Sequence, residues 1–313
     1  DTRLANVGVD GKFDVNFPIF TSGWQYLEVS RTFPDGSAVL APSNNQIISR
    51  EGVEIGNVAR IDRNGAVVDG WFFAAGEFYG YRNTLEPDRT DMRFIAERYD
   101  GSVGDYVRRA LLPGGAFENV PQFPLNSRIQ YIDTAGRYYV SSAGANAQGW
   151  LISHTFHIDR YLPNGTIDAA FPRVTRYSGS NSLPLQVMGL VELNNRLYLF
   201  SNNYSARSRT MVERMSMAGV TDPQFSAPTI FNAAGNSPAY LHGVWNGRFV
   251  FLRSIRIDTD PVIYGFVEFD ESFAITALLE SASDFGILDP TTITYCNGMY
   301  AATDKDRRLF TGN

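Results

Sequence analysis

The chain has one cysteine in 313 residues, Cys296, so no disulfide can form within it. Set in the run Ile293-Thr294-Tyr295-Cys296, that thiol reads as a small core residue rather than a nucleophile or metal ligand. Lysine is almost missing: Lys12 and Lys305 are the only two, and arginine carries the rest of the positive charge. The net charge of −6 offers no basic face of the kind nucleic-acid scaffolds carry, so no nucleic-acid partner is expected. No run of 18 apolar residues occurs, so no membrane insertion by a helix is expected. No signal-peptide pattern is visible, and the start at Asp1 is expected to reflect processing, excision or trimming.

Signatures of chemistry are sparse as well. There is no Gly-x-Ser-x-Gly elbow, no Gly-x-Gly-x-x-Gly after a strand and no phosphate loop. His154 and His157 lie three apart in a segment that reads as a strand, which puts them on opposite faces, so they cannot chelate together. Glu86, Asp88 and Asp91 form one acidic loop, and Asp258 and Asp260 another. Either could hold Ca²⁺ through oxygen ligands, but neither has EF-hand or RTX spacing, and both read as solvated loops. No catalytic residue, metal site or cofactor is therefore expected.

What is present is a repeat. Its fullest copy runs Arg160-Tyr161-Leu162-Pro163-Asn164-Gly165-Thr166-Ile167-Asp168-Ala169-Ala170-Phe171. A second runs from Arg214 through Gly219 and Asp222 to Phe225, and a third from Arg60 through Asn64-Gly65 to Trp71. Weaker copies centre on Asp100-Gly101 and Glu271-Ser272, and Asp10-Gly11 to Phe17 carries the second half of one. Asn-Gly or Asp-Gly between apolar runs is the strongest short hairpin signal, because both residues favour φ > 0. These are the outer turns. A second series of inner turns lies at Asp35-Gly36, Ala75-Gly76, Ala135-Gly136, Asn194-Asn195, Asn246-Gly247 and Asn297-Gly298. The first five inner turns each precede an outer turn by 24 to 29 residues, and the sixth, at Gly298, is complementary to Gly11 when the termini are joined.

Two hairpins per repeat make a four-stranded antiparallel sheet, and six sheets of about 50 residues match the blades of a β-propeller. The expectation is one all-β domain over 1–313, a six-bladed ring. Its blades run roughly over 18–72, 73–107, 108–171, 172–225, 226–275, and 276–313 together with 1–17. Closure by the two termini would remove the unpaired edges of the end sheets. The second blade is irregular, since only 11 residues separate Gly65 from Gly76. An open β-solenoid or two β-sandwiches are the alternatives.

The outer-turn pattern resembles the delta-60 repeat family, whose units read roughly Arg-Leu-Asn-x-Asp-Gly-Ser-Leu-Asp-x-x-Phe. Segments 160–171 and 214–225 carry the resemblance best, and 35–40 looks like the family's inner strand. Val68 and Gly104 depart from it at the Asp position. The resemblance implies a propeller-like fold and a place among bacterial secreted or surface proteins and phage virion proteins. It brings no catalytic residues. The turns also lack the Ser-x-Asp-x-Gly-x-Thr-Trp box of sialidase propellers.

Inner and outer turns fall on one face of such a ring, which is made of tight turns. The opposite face would carry long connections: 41–57, 80–93, 141–153, 201–210 and 253–262, with 107–128, 171–186 and 225–239. These are rich in Asn, Ser, Gly, Tyr, Arg and Pro, and loops on a rigid scaffold are where recognition residues gather. The residues expected to bind there are Tyr81, Arg82, Trp150, Tyr204, Arg207, Arg209, Asp258 and Asp260. The expected function is non-enzymatic attachment, as a phage tail or cell-surface adhesin component that meets a protein or glycan from an extracellular or virion surface. A hydrolase or lyase with its site at the propeller axis is one alternative. A purely architectural subunit contacting sibling virion proteins is the other.

Overall fold

Runs of Val, Ile, Leu, Tyr and Phe alternating with polar residues, punctuated by glycine and asparagine, dictate short strands and hairpins. The computed structural model describes residues 2–4, 16–22, 27–32, 37–42, 46–71, 94–100, 105–111, 117–124, 127–145, 151–177, 185–203, 209–227, 230–232, 241–245, 247–257, 263–280, 290–296, 299–304 and 309–312. Among them the secondary structure is all β, with no helix, and every strand pairing is antiparallel. The chain divides into two compact units, Asp1–Asn126 and Ser127–Asn313.

The first unit contains β1 (Thr2–Leu4), β2 (Phe20–Ser22), β3 (Leu27–Thr32), β4 (Ala38–Pro42), β5 (Ile48–Arg50) and β6 (Val53–Gly56). It continues with β7 (Val58–Ile61), β8 (Val67–Trp71), β9 (Phe94–Asp100), β10 (Asp105–Leu111) and β11 (Phe117–Asn119). Strands β3-β4-β7-β8 form the four-stranded sheet expected around the turns at Gly36 and Gly65. The segment 41–57, expected as a long loop, instead carries the hairpin β5-β6, which pairs with β2 in a second sheet, β1-β2-β5-β6. The physical reason is Ile48: wholly buried, it joins Phe20, Leu40, Ala59 and Ile61 in the core between the two sheets. β9, β10 and β11 form a three-stranded sheet, and β10 runs across the expected blade boundary at 107.

The second unit opens with β12 (Ser127–Ile132), β13 (Tyr138–Ala145), β14 (Leu151–Tyr161) and β15 (Val174–Tyr177), one up-and-down sheet. Next come β16 (Leu185–Leu193), β17 (Arg196–Asn203), β18 (Arg209–Ser216) and β19 (Ile230–Asn232). They are followed by β20 (Leu241–Trp245), β21 (Arg248–Ile257), β22 (Ile263–Phe269) and β23 (Ile275–Glu280). These last eight are two four-stranded arrays joined where β19 pairs the far end of β21, through Ile230 with Ile257 and Asn232 with Ile255. β24 (Pro290–Cys296), β25 (Met299–Asp304) and β26 (Leu309–Gly312) form a three-stranded sheet. A core of Tyr131, Tyr139, Phe156, Ile158, Phe171 and Val174 from the first sheet meets Val187, Leu190, Leu197, Leu199 and Met215 from the next.

Strand extension shortens several connections that the sequence suggested would be long. Between β13 and β14, β17 and β18, and β21 and β22 only 146–150, 204–208 and 258–262 remain. The segments 107–128, 171–186 and 225–239 likewise hold β11, β15 and β19. The segment 80–93 lies outside the described residues.

Candidate functional site

The repeat's own polar residues converge at the tight-turn end. The outer turns among the described residues close three-residue loops. In each, the N–H of the first residue bonds to the carbonyl of the fifth, and the N–H of the fourth returns to the carbonyl of the first. This holds for Asp62–Ala66, Leu162–Thr166, Ser216–Val220 and Asp270–Ala274, and also for the inner turn Asp133–Arg137. Such three-residue loops need φ > 0 only at their fourth position, where Gly65, Gly165, Gly219 and Gly136 have φ of 76 to 84°. The inner turn at Asn194 and Asn195, both at positive φ, is a two-residue turn between paired Leu193 and Arg196.

After the turn the chain folds back on an arginine. Arg160 stands opposite Tyr139, and Arg214 opposite Tyr198, in the strand register. Eight residues later Asp168 Oδ2 accepts from Arg160 Nε at 2.7 Å, and Asp222 Oδ2 from Arg214 Nη2 at 2.7 Å. Phe171 and Phe225 then lie under the guanidinium groups, 4.8 and 4.6 Å from ring centroid to Cζ. Burial pushes the Asp168 carboxyl up, but the Ala170 N–H and the Arg160 guanidinium outweigh it and hold the carboxyl below its ordinary value. Asp222 is lowered by its hydrogen bond from Arg214, with the Gln224 N–H adding to the effect. Where the Asp is replaced by Val68, the fold departs as the sequence does. β8 keeps pairing to Trp71, and Arg60 Nε donates to Ser37 Oγ at 3.2 Å.

Each phenylalanine also reaches the following turn of its unit. Phe171 presses on Gly219, Phe17 on Gly65 and Phe225 on Phe273, which holds the glycine position at φ 62°. All three separations are 48 residues. Arg160 Nη1 donates to the Met217 carbonyl at 2.6 Å, and the Tyr198 hydroxyl to the Glu271 carbonyl at 3.2 Å, again from one repeat to the next turn. The Arg–Asp pairs thus hold each turn to its own repeat, and Arg160 also reaches the next turn.

Other polar pairs sit along the strands. The Tyr131 hydroxyl donates to Glu192 Oε2 at 3.0 Å, and burial, with Glu192 beside it, pushes that phenol far up. Arg176 donates to both oxygens of Glu213 and to Thr221 Oγ1. Arg173 holds Asp159 through two nitrogens, at 2.8 and 2.9 Å. His157 Nδ1 lies 2.9 Å from Thr175 Oγ1, and burial, assisted by Arg173, lowers its pKa. Among the described residues no group of three or more His, Cys, Asp or Glu side chains is placed to hold a metal ion.

Of the residues expected to bind, only Arg209 is among those described. Tyr81, Arg82, Trp150, Tyr204, Arg207, Asp258 and Asp260 lie outside the described residues, as do Glu86, Asp88 and Asp91. Arg209 is the first residue of β18, paired in register with Asn203 and Phe231. The strand ends place 204–208 and 258–262 beyond the ends of β17 and β21 that lie away from the tight turns. One residue in from that end of β17 is Asn202, wholly buried, with neither Oδ1 nor Nδ2 hydrogen-bonded. Sequence reasoning did not single it out, because Ser201-Asn202-Asn203-Tyr204 reads as the start of a loop. No family model matches the chain, and no curated protein sequence matches it.

Proposed function

We propose that the chain is a non-enzymatic attachment module, a six-bladed β-propeller of the delta-60 repeat type that presents its loop face to a protein or glycan at an extracellular or virion surface. The observation that carries this reading is the division of labour along the strands. At the turn end, Arg160, Asp168, Phe171, Arg214, Asp222 and Phe225 lock each repeat to its own turn and to the next. Those contacts make a stiff frame. The connections 146–150, 204–208 and 258–262 follow the strand ends away from those turns, and loops on a rigid scaffold are where recognition residues gather. They hold Trp150, Tyr204 and Arg207, residue types suited to adaptable recognition, together with Asp258 and Asp260.

The test is binding of the full chain to an array of immobilised bacterial and animal glycans and to intact bacterial cells. It is repeated with Trp150→Ala, Tyr204→Ala and Arg207→Ala combined. Loss of binding with an unchanged melting temperature supports the loop face. Undiminished binding by the folded triple variant would remove that face from consideration.

A further inference from the structure

We propose that Asn202 and Thr210 line an internal binding site for a water molecule between strands β17-β18 and the neighbouring array β20–β23. Tyr198 and Phe200, on the same face of β17 as Asn202, pack against Phe249, and Phe200 also against Phe251. Strand alternation therefore directs the Asn202 amide toward β21 rather than to solvent. Thr210 stands opposite it in register, only 1% exposed. Asn202 is 0% exposed, and both its oxygen and its nitrogen lack a hydrogen-bond partner in the protein. Buried amides persist in native cores when something satisfies them, and internal water is the usual partner.

The preceding sheet shows that polarity here is not a requirement of the repeat. Matching Tyr139 and Arg160 to Tyr198 and Arg214 places Asn202 and Thr210 at the positions of Ala143 and Phe156. Phe156 is part of the apolar core. One repeat thus fills this place with an aromatic ring, and the next with an amide and a hydroxyl. The guest must be uncharged, since an ion beside Phe200 and Phe251 would be desolvated with no counter-charge from either lining residue. It must also both donate and accept, because the amide offers both functions. Water meets these conditions at the smallest size. This inference rests on the fold of the second unit and is independent of the attachment reading.

Two measurements on the full chain test it. Nuclear Overhauser spectra in water should show a long-lived water beside the Asn202 side-chain amide protons, and the signal should vanish in Asn202→Leu. The melting temperature of Asn202→Leu should be unchanged or lower, because the leucine removes satisfied hydrogen bonds. A dry Asn202 amide overturns the proposal. So does a rise in melting temperature of more than about 2 °C, the sign of relieving an unsatisfied buried group. If the leucine variant does not fold, the water measurement on the unaltered chain decides alone.

Discussion

The ring of Phe171 lies against Gly219 so closely that a Cβ on the glycine would sit 2.9 Å from Cε2 of the ring. Gly219 also has φ +78°, a conformation that costs other residues on the order of 1–2 kcal/mol. Gly136, in the same unit, has a similar φ of +76° but only an ordinary contact, 3.5 Å to Pro163. Gly136→Ala is therefore expected to show the backbone cost alone. Gly219→Ala should cost at least about 1 kcal/mol more, because Phe171 must leave its seat. Denaturant titration of both variants measures the difference, and equal losses would show that the phenylalanine contact is energetically idle.

Phe273 occupies a glycine position at φ 62° while stacking on Phe249 at 4.9 Å and touching Phe225 at 5.8 Å. Removing the ring should cost about 3–5 kcal/mol, as for other buried phenylalanines. The backbone then decides the ranking of the small replacements. Phe273→Gly is expected to be more stable than Phe273→Ala by about 1 kcal/mol, the reverse of the usual order in strands. Thermal melts of the pair test this directly.

Arg160 is nearly buried and joins Asp168, Met217 and the Phe171 face. Arg160→Met leaves the Asp168 carboxylate without its cation, and a loss of about 3–5 kcal/mol is expected. Adding Asp168→Asn removes the stranded charge while keeping an acceptor for the Ala170 N–H, so the double variant should recover part of the loss. A double variant no more stable than Arg160→Met would mean that the charge pairing is not what binds these two residues.

Acid should weaken the fold in two stages. His157 is lowered from 6.5 in the folded state, so its stabilising contribution is complete above that value and fades as pH falls through the lower folded pKa. Asp168, Asp222 and Asp270 are lowered from 3.8, Asp270 chiefly by the Ser272 hydroxyl. Their contributions are complete above about pH 4 and are lost below it. Melting temperature followed against pH should fall in this order, and His157→Gln should flatten the upper stage only.

The parts of the fold that local chemistry dictates were readable in advance. Gly65, Gly136, Gly165 and Gly219 punctuate apolar runs, and each sits at positive φ in a hairpin. The number of residues in those turns was not readable, because Asn-Gly is compatible with two-residue and three-residue loops. Only the bonds from Gly165 N–H to Leu162 and from Leu162 N–H to Thr166 choose between them. The hairpin β5-β6 was hidden for another reason. Buried Ile48 and exposed Ile47 are adjacent and look alike in the sequence, polar residues surround the pair, and the partner strand β2 comes from a different part of the chain. Arg160 and Asp168 were visible as a pattern, but their joint contact with the next turn at Met217 belongs to tertiary packing. Asn202 was invisible because a buried amide and a loop asparagine are the same letter.

The 48-residue interval from Phe17, Phe171 and Phe225 to the turns they touch fixes the phase between successive repeats at one end of the strands. Registration there is independent of what connects the strands at the other end. A change in the length of 204–208 or 258–262 is expected to leave that turn-end phase intact, provided the β18-β19-β21 pairing at Arg209 and Ile257 persists. A foreign peptide grafted between Asn203 and Arg209 should be carried as cargo on an unaltered chassis.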